Sequence, residues 1–97
     1  MKTLEAIELL EELDFSYFQV HDVLLATRDY GKTVITLTLN SDTITFTTSF
    51  GDITLTKSRG RPIDKADMLR DINTYMYLLE TMGAEDYGKF TKRGMSL

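Results

Sequence analysis

The chain has 97 residues, 42% hydrophobic and 27% charged, with a net charge of −4, which is the make-up of one globular domain. The absence of cysteine excludes a disulfide framework and thiolate metal sites. The longest unbroken apolar run, Tyr75 to Leu79, falls far short of the ~20 residues that cross a bilayer, and Glu5, Glu8, Glu11 and Glu12 break up any secretory-signal pattern. A small acidic protein of the cytoplasm is therefore expected. Charge is unevenly placed: residues 1–56 carry −6 and residues 57–97 carry +2. An isoelectric point near 4.8 runs against a general nucleic-acid binder and suits docking on a basic partner surface.

From Thr3 to Leu13 the pattern is helical. Leu4, Ile7, Leu10 and Leu13 recur every three residues, Leu9 widens the stripe, and Glu5, Glu8 and Glu12 lie opposite. Thr3 is the expected N-cap, and Glu5 sits in the first turn, where the helix dipole favours an anion. Period-two alternation then marks strands at Val34–Leu39, Thr43–Thr47 and Ile53–Thr56, each with apolar residues on one side and threonine on the other. A less regular fourth strand falls within Phe18–Thr27, broken or bulged around His21 and Asp22. Turns are expected at Arg28-Asp29-Tyr30-Gly31, Asn40-Ser41-Asp42 and Phe50-Gly51-Asp52.

Asp64 reads as the N-cap of a second helix, with Asp67 in its first turn and Gly83 at its end. Met68, Leu69, Ile72, Tyr75, Met76, Leu79 and Met82 supply its apolar face. Residues 84–97 show no period and read as a tail. The architecture implied is two-layer α+β over residues 1–83: an N-terminal helix, an antiparallel meander of three to four strands, and a C-terminal helix, with both helices on one sheet face.

Chemistry-bearing patterns are sparse. The single histidine, His21, adjoins Asp22, but neighbours on a strand point to opposite faces, so no acid–base pair follows. Neither a nucleophile elbow nor a phosphate-cradling glycine loop nor a calcium-loop spacing occurs; hence a non-enzyme without metal or cofactor is expected. The threonine rows resemble those of ice-binding β-proteins, although short twisted strands read more simply as a sheet surface.

Two charged sets remain. Glu5, Glu8, Glu11, Glu12 and Asp14 form an acidic face offset only by Lys2, and Asp29, Tyr30 and Asp42 are expected beside it in hairpin turns. The core of Lys57-Ser58-Arg59-Gly60-Arg61-Pro62 resembles the centre of an AT-hook. That resemblance implies Arg59 and Arg61 in a narrow minor groove, and a DNA-binding reading of the chain adds Lys89, Lys92 and Arg93 of the tail. Size, charge and element order together resemble small phage-encoded inhibitors, including anti-CRISPR proteins. This wider resemblance implies a protein partner with a basic nucleic-acid-binding site, such as an RNA-guided nuclease, blocked by the acidic face. A DNA-binding accessory protein and a homo-oligomer built through sheet edges or apolar patches are the alternatives.

Overall fold

The computed structural model describes residues 1–83. The tail expected over 84–97, with Lys89, Lys92 and Arg93, lies outside the described residues. The elements are α1 (Thr3–Glu12), β1 (Ser16–Val20), β2 (Val23–Tyr30), β3 (Thr33–Leu39), β4 (Thr43–Phe50), β5 (Ile53–Gly60) and α2 (Lys65–Met82). All five strands form one antiparallel meander in the order β1-β2-β3-β4-β5. The two-layer α+β class holds, with five strands where three to four were expected.

The extra strand comes from a turn that sequence pattern hides. His21 adopts a left-handed φ of 55°, so His21 and Asp22 close a two-residue hairpin between β1 and β2. Histidine gives no glycine-type signal at such a position. Two further boundaries move. The region Arg28–Tyr30 is strand, not turn: β2 runs to Tyr30, which pairs with Thr33 and buries its ring, 7% exposed, in the core. Likewise the strand expected to end at Thr56 continues through Lys57–Gly60, because β5 stays paired with β4 all the way to Thr43↔Gly60.

Alternation decides which face each residue takes. Leu24 and Ala26, Ile35, Leu37 and Leu39, and Ile44, Phe46 and Phe50 face the helices and are buried. Ile53 and Leu55 on the outer strand are only half-buried. At about 1.5–3 kcal/mol for each large apolar side chain removed from water, this face holds both helices down. Helix α1, too short to be stable alone, depends on that packing.

Helix α1 buries Ala6, Leu9 and Leu10, while Leu4 is 66% exposed, against the stripe expected from the sequence. The reason is angular. A three-residue repeat slips about 60° per step on a helix turning 100° per residue, so Leu4 and Leu13 end on opposite sides. The N-cap is Lys2 rather than Thr3, and the Glu5 carboxylate accepts the Lys2 backbone N–H at 3.1 Å. At the other end Asp14 takes a left-handed φ of 62°, Phe15 N–H donates to Leu10 O at 2.9 Å, and Asp14 N–H to Glu11 O at 3.2 Å. This bond pair is a Schellman ending, with Phe15 and Leu10 both buried beneath it.

Helix α2 starts as expected: the Asp64 carboxylate accepts Asp67 N–H at 2.8 Å, and Asp67 accepts Ile63 N–H at 3.1 Å in return. Gly83 ends it at φ 75°, a conformation costly for a residue with a Cβ. Met68, Ile72, Tyr75 and Leu79 enter the core with Asp71 among them. Tyr75 stacks on Phe46 at 4.9 Å between ring centroids, and its hydroxyl lies 2.8 Å from Thr48 Oγ1 and 2.9 Å from Leu55 O. Lys65 Nζ joins the helices through Glu12 at 2.7 Å.

Candidate functional site

The acidic residues singled out from sequence fall into three groups. Glu8, Glu11, Asp14, Asp29 and Asp42 are exposed, and their carboxylates make no hydrogen bond or ion pair among the described residues. Glu5 is tied to the Lys2 amide and Glu12 to Lys65. Tyr30 is buried, so it is no contact residue; it lies on the helix-facing side of β2 rather than in a turn.

The fold gathers part of the first group. Beyond the Ser16↔Thr27 pair that ends the β1–β2 ladder, Asp14 and Asp29 line a shallow pocket of about 270 Å³ with Ser16, Thr27 and Arg28. Glu8 and Glu11 add an acidic surface on the outer side of α1, where helical spacing sets them on either side of the exposed Leu4. Its field reaches the second helix: the hydrogen bond to Glu12 holds the Lys65 ammonium above its ordinary value, and Glu8 and Glu5 add to the effect. Arg28, the base lining that pocket, is half-buried, with its guanidinium 6.0 Å from the Phe15 ring centre and Nη1 3.8 Å from Met76 Sδ. Asp42 stands apart, at the other end of the sheet, in a turn where Asn40 Oδ1 accepts from Asp42 N at 2.8 Å and Thr43 N at 2.7 Å.

The two arginines of the Arg-Gly-Arg-Pro stretch do not stand together as a free pair. Arg61 donates to the carbonyls of Asn40 and, at 3.0 Å, Met1, closing the chain start onto the β3–β4 turn. Arg59 projects from β5 and pairs with Asp71, keeping 58% of its side chain exposed. Gly60 has open space where a Cβ would stand, so packing places no demand for glycine there.

Two features went unmarked in the sequence. Asp71 is a buried carboxyl whose Oδ2 lacks a hydrogen-bond partner among the described residues; burial raises its pKa, against the lowering pull of Arg59. A helical Asp amid charged neighbours carries no signal of burial. The other is β1, whose five residues are all exposed, with Phe18 at 59% and Val20 at 46%. Its signal was the lack of alternation in Ser-Tyr-Phe-Gln-Val, which denotes a strand without a buried face.

On the open face, Thr36, Thr38, Thr43, Thr45 and Thr47 are half-buried beside exposed Thr54 and Thr56. Part of this array is satisfied internally, by Thr45 Oγ1 with Ser58 Oγ at 2.9 Å and Ser49 Oγ with Thr54 Oγ1 at 3.1 Å. Among the described residues no group of three or more His, Cys, Asp or Glu converges on a point where a metal would sit, and no helix is long and apolar enough to cross a membrane. No protein-family model matches the chain, and neither a curated protein nor a solved structure matches it.

Proposed function

We propose that this protein is a non-enzymatic inhibitor that binds a protein partner and occludes its basic nucleic-acid-binding site, as on an RNA-guided nuclease. The observation that carries this reading is the contrast in how the two charged sets are used. The carboxylates of Glu8, Glu11, Asp14 and Asp29 face solvent without a partner among the described residues, whereas Arg59 and Arg61 are drawn into contacts that hold the fold. Unpaired acids on one surface attract a basic site and repel duplex DNA.

The test is a DNA-cleavage assay with an RNA-guided nuclease titrated with the protein. Cleavage falls as the protein approaches stoichiometry, and inhibition weakens with added salt because exposed charges are screened. Glu8→Lys with Glu11→Lys, which leaves the Glu12–Lys65 pair in place, relieves inhibition. A mobility shift of A·T-rich duplex DNA by the isolated protein at low salt, or inhibition indifferent to the charge reversal, overturns the reading.

A further inference from the structure

The sheet has two outer strands, and they are built differently. At β5 the outer strand bears Lys57 and Arg59 and ends at Gly60, features that discourage another strand from pairing with it. At β1, Ser16–Val20 contains no charge, no proline and no glycine, and all five side chains are exposed. Val20 and Val23 flank a two-residue turn and exchange both backbone bonds, so Phe18 and Ser16 also bond inward to β2. The N–H and C=O groups of Tyr17 and Gln19 therefore point outward, with no strand beside them among the described residues.

The side chains continue this invitation. Phe18 pairs with Leu25 and Val20 with Val23, which makes an apolar strip on the open face, and Tyr17 stands 37% exposed on the other. Acids bound the strip at both ends: Asp14 and Asp29 at one, Asp22 at the other. Across residues 11–30 five acids face a single base, the half-buried Arg28. A second copy of this chain is a poor occupant. The one symmetric register that pairs all of Ser16–Val20 with itself sets Asp14 opposite Asp22 twice, and like charges across strands destabilise.

We infer that β1 is a docking edge that takes an extended segment of a basic protein partner as a sixth strand. The segment carries β-branched residues against Phe18 and Val20 and Lys or Arg at both ends. This rests on the reading that the protein acts by protein contact and names the chemistry the partner presents. Main-chain bonds from Tyr17 and Gln19 supply adhesion, and the acids at each end select register and charge.

The probe is a nine-residue peptide matching the span Asp14–Asp22, with lysine at both ends and alternating threonine and valine between, titrated into the full-length protein and followed by amide NMR shifts. Saturable shifts centred on residues 16–20 are expected, and a peptide with glutamate at both ends binds at least about tenfold more weakly. Tyr17→Pro removes an outward N–H without breaking the β1–β2 ladder, and weakens binding about tenfold beyond Tyr17→Ala, which controls for the ring. Phe18→Asp, at an exposed position, abolishes it. Equal affinity for the two peptides, shifts centred elsewhere, or no saturation overturns the proposal. So does protection of the Tyr17 and Gln19 amides in the free protein, or a dimer that Phe18→Asp dissociates. Because the peptide assay involves no nuclease, its failure is separable from a failure of inhibition.

Discussion

Replacing Tyr75 by Phe isolates one hydroxyl at the joint between the helix layer and the sheet. Tyr75 is 2% exposed, and the substitution preserves its volume and its stack on Phe46. A phenol has one proton and a carbonyl only accepts, so that proton goes to Leu55 O, and Thr48 completes the site by donating to the phenol oxygen. Tyr75→Phe removes both bonds and strands a buried Thr48 hydroxyl, 1% exposed, whereas Leu55 O keeps the backbone N–H of Thr48 opposite it in the ladder. A buried unsatisfied group costs about 1–3 kcal/mol, which sets the loss at about 2 kcal/mol for the stranded Thr48 hydroxyl. For a chain of this size that is a fall in Tm of about 8–16 °C. Urea unfolding followed by circular dichroism measures it. Thr48→Val alone costs about 1 kcal/mol, since Tyr75 keeps Leu55, and costs almost nothing when added to Tyr75→Phe. A loss below about 0.5 kcal/mol for Tyr75→Phe, or strict additivity of the two, refutes this account.

The buried carboxyl of Asp71 predicts a pH signature. Burial raises its pKa in the folded state, so the folded protein holds this proton more tightly than the unfolded chain. The associated stability is fully present below the ordinary carboxylate value and is lost as pH rises through the raised one. Relative to Asp71→Asn, the natural protein thus gains stability as pH falls from neutral to about 3.5 in paired urea titrations; the opposite slope means that the Arg59 pairing outweighs burial. The rotation of α1 predicts that Leu4→Gln changes stability by less than about 0.5 kcal/mol, whereas Leu10→Ala costs about 2–5 kcal/mol. Comparable losses at both positions contradict the helix orientation described above.

Local chemistry made much of this fold legible from the chain alone. Alternation in Val34–Leu39 and Thr43–Thr47 depends only on the two-residue period of a strand, and Asp64 with Gly83 bounds the second helix through capping rules that act within a turn. The exposed acid at Glu8 was legible in the same way, since the expected apolar stripe set it on the opposite side, although Leu4 of that stripe is exposed beside it. Non-local contacts decided the rest. Tyr30 becomes core because Thr33 extends the ladder past the expected turn, Arg59 joins a strand expected to end at Thr56 because β4 continues to pair with it, and Asp71 is buried because α2 settles against β5. Whether Phe18 and Val20 are packed or bare depends on where β1 falls in the strand order. Sequence can propose a strand, but only assembly of the sheet makes that strand an edge.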